Sequence, residues 1–263
     1  AKEAGTYRVE DHRKLAYEAA VKSFVLLKNE DGVLPLSPER KTAFIGPYTE
    51  SQELMGSWSF TGGAGTEMVK TIRMAAEEAL AGWPVTYHTG CPLLAPGTVL
   101  EGFDRYRPCS ASGEELVCWK EEALKAAGEA DVVVMPLGEH CFQSGEAASR
   151  AFLEIPEIQQ DLFRAVCEVN SNVVAVVFSG RPLDPRFLSG RATAVLFVWL
   201  PGLVGGPAIL YVLSGKRAPS GRLPMSIPYC VGQLTVPSVR LITGRPYWEG
   251  HPERSVIRHQ ASA

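Results

Sequence analysis

The sequence is most informative at Asp131-Val-Val-Val-Met-Pro-Leu-Gly-Glu-His-Cys-Phe-Gln-Ser-Gly-Glu-Ala-Ala-Ser-Arg150. The first part of this segment is a run of apolar residues, which is typical of a strand buried on both faces. The second part is polar and carries two carboxylates, Glu139 and Glu146. In open α/β sheets, ligand sites lie just beyond the carboxyl ends of the strands. The segment therefore predicts a buried parallel strand followed by a functional loop.

Apolar strands alternate with helices along the rest of the chain. Strands are predicted at residues 41–45, 84–88, 131–137, 172–178, 192–199 and, as a last edge strand, 222–227. Helices are predicted at residues 11–27, 66–81, 114–127, 154–169 and 205–213. Apolar strands connected by helices indicate a parallel sheet covered on both faces. The predicted fold is α/β, a three-layer α/β/α sandwich with a mostly parallel sheet of about five or six strands.

The chain length of 263 residues is compatible with one large domain or two small ones. We expect this domain to cover residues 1–246, with a leading helix at about 11–28 and a linker at about 30–40. Asp11 is placed to cap the leading helix, and Leu34-Pro-Leu-Ser-Pro38 is placed to end it. Residues 247–263 are polar and aperiodic, and we expect them to form an irregular tail.

Charge and hydropathy exclude two classes of partner. The formal net charge is −3, and no basic patch indicates binding to nucleic acid. The uncharged segment 192–215 is long enough for a membrane span, but Pro201, Gly202 and Pro207 interrupt it. A strand, a turn and a buried helix explain this segment better, and no membrane contact is predicted.

The six cysteines are scattered along the chain and form no CxxC pair. A zinc knuckle or a redox motif is therefore not predicted. A chain of this length and apolar content can fold without disulfides, so reduced thiols are the preferred interpretation. From these thiols and from the lack of a visible signal peptide we expect a cytoplasmic location.

Three weaker motifs point to other functions and are not favoured. Gly62-Gly-Ala-Gly65 lacks the spacing of a phosphate-binding loop, and a flexible glycine-rich loop explains it. His140 lies beside Glu139 and Cys141, but no second ligand follows at helical spacing, so no metal site is predicted. Ser144-Gly-Glu is not a serine nucleophile elbow. No cofactor is therefore predicted.

An ordered set of further motifs resembles the C-terminal domain of glycoside hydrolase family 3, which contains β-glucosidases and β-xylosidases. The similarity spans about residues 10–246 in family order. The matching segments are His12-Arg-Lys-Leu-Ala, Val25-Leu-Leu-Lys-Asn29, Leu34-Pro-Leu36, Gly56-Ser-Trp-Ser59, Ser144-Gly-Glu-Ala-Ala-Ser-Arg150, Ile155-Pro with Gln159, Ser179-Gly-Arg-Pro-Leu183, Trp199-Leu-Pro-Gly202, Gly205-Gly206, Pro219-Ser-Gly-Arg-Leu-Pro224, Val231-Gly-Gln233 and Thr243-Gly-Arg-Pro246.

The resemblance implies a retaining glycosidase that acts on β-linked glycosides. In the family, a (β/α)8 barrel supplies the aspartate nucleophile, and the α/β sandwich supplies the general acid/base from a loop that resembles Ser144-Gly-Glu-Ala. The position implied here is Glu146. The resemblance also implies that Ser59, Trp58 and Arg150 contact the substrate. Glu139 is expected to be a structural hydrogen-bond acceptor.

The sequence departs from the family pattern at several points. Val204 and Tyr211 replace a glutamate and an aspartate, and the segment after Pro246 is unpatterned. We expect that 263 residues hold the sandwich but not the barrel, which would act in cis or in trans, and that the chain alone is inactive. The alternative is a non-catalytic module that binds carbohydrate or protein. Assembly into a homo-oligomer is a further expectation.

Overall fold

The computed structural model describes residues 9–59, 69–100, 109–145, 148, 150–225 and 227. Within this part of the chain, the strands are β1 (Val25–Asn29), β2 (Thr42–Ile45), β3 (Val85–His88), β4 (Val132–Gly138), β5 (Val173–Phe178) and β6 (Ala194–Trp199). The helices are α1 (Val9–Ser23), α2 (Ile72–Ala79), α3 (Gly113–Glu129), α4 (Glu157–Val169), α5 (Arg186–Ser189) and α6 (Gly205–Leu213).

The described strands form one sheet in the order β1-β6-β5-β4-β2-β3. Neighbouring strands from β6 to β3 are parallel, and the edge strand β1 runs antiparallel to β6. Helices connect the parallel strands, as parallel pairing requires. The predicted three-layer α/β/α sandwich with a mostly parallel sheet is therefore confirmed.

Successive side chains of the central strands point to opposite faces of the sheet, and a hydrophobic core forms on each face. In β4, Val132 and Val134 pack into one cluster, and Val133, Met135 and Leu137 pack into the other. The first cluster is completed by α1, α2 and α6, and the second by α3, α4 and α5. Because both faces are covered, β4 and β5 are buried along their whole length. This explains why these strands are apolar throughout rather than alternating with polar residues.

The predicted leading helix is too long. The helix α1 ends at Ser23, and Val25–Asn29 form β1 instead of a final helical turn. Phe24 and Val25 are buried, and Val25 lies opposite Phe197 in the pairing with β6. Pairing with an otherwise open sheet edge favours the extended backbone at these β-branched and aromatic residues.

The predicted edge strand at residues 222–227 is wrong. The residues described there, 222–225 and 227, belong to no strand. The edge beside β6 is taken by β1, and the backbone N–H of Gly221 donates to Phe24 as the chain passes it. Pro224, which lacks a backbone N–H, also disfavours a strand here.

Of the remaining described helices, α3, α4 and α6 agree with the predictions to within three residues, whereas the short helix α5 was not predicted. The helix predicted at 66–81 is observed at 72–79, with residues 66–68 outside the described part of the chain. The segment 192–215, predicted to form a strand, a turn and a helix rather than a membrane span, contains β6, a turn and α6. None of the described helices combines the length and the apolar composition that a membrane span needs. The predicted tail, residues 247–263, lies outside the described residues.

Candidate functional site

The loops that follow β2, β4, β5 and β6 meet at the carboxyl edge of the sheet. The backbone N–H of Glu139, directly after β4, donates to the carbonyl of Phe178 at the end of β5 (2.9 Å). The N–H of Ser179 donates to Trp199 at the end of β6 (3.1 Å). At Gly138, an added Cβ would lie 2.0 Å from the carbonyl oxygen of Phe178, so only glycine permits this approach. The sequence predicts functional residues at this edge, in the loop after β4.

Glu139 is the centre of a buried ion cluster. Its side chain is 1% exposed and accepts hydrogen bonds from Arg181, with Nη2 to Oε1 at 2.6 Å and Nε to Oε2 at 3.0 Å. The Ser179 hydroxyl donates to Oε2 at 3.0 Å. Arg150 Nε lies 3.7 Å from Oε1. Glu139 is thus a structural hydrogen-bond acceptor, as the sequence analysis expected, because its charge is balanced and its oxygens are occupied.

Arg181 lies in the loop after β5, contacts two separate points of the loop after β4, and was missed as a site residue. Its Nη2 donates to the carbonyl of Phe152 (2.9 Å) as well as to Glu139. The signal was present in Ser179-Gly-Arg-Pro-Leu183, which directly follows a buried strand. The partner of Arg181 lies 42 residues earlier, however, and local patterns do not report such a pairing.

Tyr48 packs beside the ion cluster and contacts the backbone of Glu139. Its ring stacks on Phe178 with a centroid distance of 4.1 Å, and its hydroxyl donates to the carbonyl of Glu139. Burial raises the pKa of Tyr48 well above its usual value, so the hydroxyl remains a donor at neutral pH. The backbone at Glu139 is therefore fixed along with its side chain.

A turn at Gly56-Ser-Trp-Ser59 forms the opposite rim. The Ser59 hydroxyl donates to the carbonyl of Gly56 at 2.6 Å, and its N–H donates to the same oxygen at 2.9 Å. The Ser57 hydroxyl donates to the carbonyl of Ser144 at 3.2 Å. The Trp58 side chain is 73% exposed. The turn therefore contacts the loop after β4 and presents a large aromatic surface to solvent.

Ser144 and Gly145 lie between the turn and the loop after β5. Gly145 has φ +111°, and an added Cβ there would lie 2.6 Å from Ser57 Oγ and 3.3 Å from Trp58 Nε1. An added Cβ at Gly180 would lie 2.5 Å from Ser144 Oγ. Gly145 is needed because its backbone lies in a region that residues with a Cβ rarely adopt, whereas a larger residue at Gly180 would displace the Ser144 side chain.

The predicted acid/base residue, Glu146, lies outside the described residues, as do Ala147 and Ser149. The structure describes the residues on either side. The backbone N–H of Ala148 donates to the carbonyl of Gly145 at 3.3 Å. Arg150 contacts Glu139 and also donates to the carbonyl of Glu154 at 3.4 Å. Of the predicted site residues, Trp58 and Ser59 therefore lie on one rim, and Arg150 lies at the ion cluster.

A second group of polar side chains adjoins this edge. Glu53, His140 and Cys141 each offer a metal-ligating atom, and these atoms all lie within 4.8 Å of one another. We call them the Glu53–His140–Cys141 cluster. Burial raises the pKa of the Cys141 thiol above its usual value, and burial lowers the pKa of His140. The sequence predicted no metal site because no second ligand follows His140 at helical spacing. Glu53 lies 88 residues before Cys141, so spacing along the chain could not reveal it.

Comparison with known proteins identifies the domain. The family model described as the glycosyl hydrolase family 3 C-terminal domain matches residues 24–252. The chain belongs to this family. The resemblance inferred from the sequence motifs is thereby confirmed, and the loops described above form the carboxyl edge of a family 3 C-terminal domain.

Similar proteins are named as glycosidases. The periplasmic beta-glucosidase of Salmonella typhimurium is 36% identical over 94% of this chain and 32% of its own length. A beta-xylosidase of Formosa agariphila is 30% identical over 89% of this chain and 30% of its own length. The family 3 C-terminal domain described here thus spans about a third of the length of these relatives.

Solved structures share the fold. The beta-glucosidase of Listeria innocua in complex with isofagomine matches with a TM-score of 0.77 and 29% identity, covering 98% of this chain and 32% of that one. The family 3 beta-glucosidase of Bifidobacterium adolescentis matches with a TM-score of 0.72 and 30% identity, covering 88% and 31%. Domains like this one therefore occur within longer glycosidases.

Proposed function

We propose that this domain supplies the general acid/base, Glu146, to a retaining β-glucosidase-like enzyme. The observation that carries the proposal is the anchoring of Ser144 and Gly145, the two residues before Glu146, between the Ser57 turn and Gly180. This anchoring lies at the carboxyl edge of the sheet, where α/β proteins hold their ligands. The names of the relatives, β-glucosidases and a β-xylosidase, support a β-linked glycoside as substrate.

The proposed chemistry needs a second carboxylate from a partner domain. In retaining glycosidases the two carboxyl groups lie about 5–5.5 Å apart, and one of them forms a covalent glycosyl-enzyme intermediate. In this scheme Glu146 donates a proton to the departing oxygen and then removes a proton from the attacking water. The nucleophile belongs to a (β/α)8 barrel, joined to this domain or supplied as a separate chain.

Exposed aromatic side chains on the two rims support contact with a barrel domain and with a sugar. The side chains of Trp58 and Phe152 are 73% and 67% exposed, and Phe152 adjoins Arg181. Exposed aromatic side chains beside a polar site are typical of binding surfaces. We propose that Trp58 and Ser59 contact the substrate from one rim. Arg150 contacts it from the other while it pairs with Glu139.

The test compares three substrates and two variants. The chain is assayed alone and joined to a family 3 barrel on p-nitrophenyl β-glucoside. We expect turnover in the joined protein, a large loss in Glu146→Ala, and none of that loss in Glu157→Ala, a matched change at the start of α4. Because an activated leaving group needs no proton, 2,4-dinitrophenyl β-glucoside should be cleaved by Glu146→Ala much better than methyl β-glucoside. An equal loss on all three substrates would contradict the acid/base role.

The alternative is a module that binds carbohydrate or protein without catalysis. The exposed Trp58 favours this alternative, because an aromatic ring can stack on a sugar and bind it without a catalytic carboxylate. If the joined protein is inactive but the chain alone binds glucosides and Trp58→Ala abolishes binding, the alternative replaces the acid/base proposal. Inactivity of the chain alone, the cytoplasmic location and self-association remain predictions.

A further inference from the structure

The Glu53–His140–Cys141 cluster joins two loops at the carboxyl edge of the sheet. Glu53 belongs to the loop after β2, whereas His140 and Cys141 lie at the 3₁₀ turn Cys141–Gln143 after β4. We propose that these three side chains bind a divalent transition-metal ion, with Zn²⁺ as the best fit. This inference does not depend on the proposed glycosidase function.

The donor atoms match the chemistry of zinc. A thiolate, an imidazole and a carboxylate are its usual protein ligands, with metal–ligand bonds of about 2.0–2.3 Å. In a tetrahedral site, bonds of that length place neighbouring donors about 3.5 Å apart. Cys141 Sγ lies 3.3 Å from Glu53 Oε2 and 3.9 Å from His140 Nδ1. All three donor atoms lie within 4.8 Å of one another, so side-chain rotations that bring them about 1 Å closer give the separations of three metal bonds.

The protonation of the histidine also fits. The backbone N–H of Phe142 donates to His140 Nδ1 at 3.2 Å, so Nδ1 is the unprotonated nitrogen that a metal ion needs. A bound ion replaces this hydrogen bond, and the Cys141 thiol releases its proton to solvent. Both changes oppose binding, so we expect weaker affinity than that of a four-ligand structural zinc site.

A neighbouring pocket gives the ion access and leaves room for a fourth ligand. Glu53 and His140 line a cavity of about 380 Å³, together with Pro47, Leu94 and Trp119. Glu53 is half-buried, while His140 and Cys141 are buried. Three protein ligands and an open position that faces a pocket resemble a site that keeps a water or a small anion on the metal.

Binding of an ion would connect the loop after β2 to the loop that carries Glu146. The same β2 loop holds Ser57, which contacts Ser144 from the other side. A metal ion would thus join the two loops at a second point, and any state in which they separate would lose the ion. We therefore expect Zn²⁺ to raise the melting temperature of the chain.

The test uses Co²⁺ as a spectroscopic probe of the purified 263-residue chain, with Zn²⁺ as competitor. We expect one Co²⁺ per chain, a thiolate-to-cobalt charge-transfer band, and loss of that band when Zn²⁺ is added. Cys141→Ser should abolish the band and the Zn²⁺-dependent rise in melting temperature. Glu53→Gln should retain the band but weaken Co²⁺ affinity by about tenfold or more, because substitution of residues that only orient metal ligands already costs about 10–100-fold.

Two cysteine controls identify the site. Cys167→Ser changes a half-buried cysteine on α4 and should leave the titration unchanged. Cys118, which is exposed on α3 and lies 3.6 Å from Glu122, could bind metal adventitiously. The proposal is overturned if the native chain gives no charge-transfer band, if Cys141→Ser retains it, or if Cys118→Ser removes it. Circular dichroism without metal checks that each variant is folded.

Discussion

The two rims of the candidate site are held by different physical means. On one rim, Glu139 is 1% exposed and makes ion pairs with Arg181 and Arg150. On the other rim, Trp58 is 73% exposed, and the turn that carries it contacts the loop after β4 through the hydroxyl of Ser57. The first rim is stabilised by buried charge pairs, and the second by a neutral hydrogen bond and close backbone packing.

This difference separates the tasks of the two rims. Removing one partner of a buried ion pair leaves a charge without compensation, which is far more costly than losing a neutral hydrogen bond. The Glu139 rim is therefore suited to fix the start of the loop after β4. The Trp58 rim can yield to a ligand or a partner at little cost. Substitutions on the Glu139 rim should consequently lower stability more than binding, and substitutions on the Trp58 rim should lower binding more than stability.

The largest effect on stability is expected from Glu139→Ala. The change leaves Arg181 and Arg150 without their shared carboxylate, and breaking a buried pair in this way typically costs about 3–5 kcal/mol. Because the side chains of these arginines are 20% and 24% exposed, we expect the lower end of this range. Urea unfolding followed by circular dichroism measures the difference.

A surface ion pair provides the control for this substitution. Glu18 pairs with Arg217 at 2.9 Å, but the two side chains are 44% and 37% exposed. Glu18→Ala should cost about 1 kcal/mol or less, as exposed pairs do. If Glu139→Ala costs no more than Glu18→Ala, the first rim is not stabilised by its buried charges and the contrast between the rims is lost.

The fold was largely predictable because its signals are local. The valine runs of β4 and β5 identify strands covered on both faces, and α6 was predicted with the observed bounds. The errors lie at the sheet edges. Residues 24–27 follow a helix without a proline or glycine, so their apolar pattern fits a helix or a strand equally well. Pairing with β6, about 170 residues later, decides between the two.

The site was predictable only in part, for the same reason. That functional residues follow β4 is a local inference, and the loops do meet there. The partners of those residues come from distant loops: Arg181 reaches Glu139 from after β5, and Glu53 reaches Cys141 from after β2. Neither pairing leaves a spacing pattern in the sequence. Ion clusters and mixed ligand sets of this kind become visible only when the loops are assembled.

An intermediate effect is expected from Gly145→Ala. The new methyl group meets Ser57 Oγ at 2.6 Å, and the backbone has φ +111°, which disfavours any residue with a Cβ. We expect a stability loss of about 1–3 kcal/mol. In a barrel-joined enzyme, displacement of this loop should also lower kcat by about tenfold to a hundredfold.

The control for Gly145→Ala separates crowding from backbone strain. Gly82 has φ +82°, and an added Cβ there meets no atom within 4 Å. Gly82→Ala should therefore carry the strain alone and leave kcat unchanged. If both variants lose the same stability and neither loses activity, the contact between the Ser57 turn and Gly145 does not position the loop.

The smallest effect on stability is expected from Trp58→Ala. Because most of its side chain is in solvent, its removal should change the free energy of unfolding by about 0.5 kcal/mol or less.

Trp199 provides a matched comparison: its ring packs against Phe197 at 4.9 Å, and its Nε1 donates to the carbonyl of Ser23. Trp199→Ala should cost clearly more, by about 1 kcal/mol or above. The binding effects should have the reverse order, with a raised KM or weakened barrel association in Trp58→Ala alone. If Trp58→Ala loses as much stability as Trp199→Ala, the indole of Trp58 stabilises the turn. The exposed rim would then be structural rather than a binding surface.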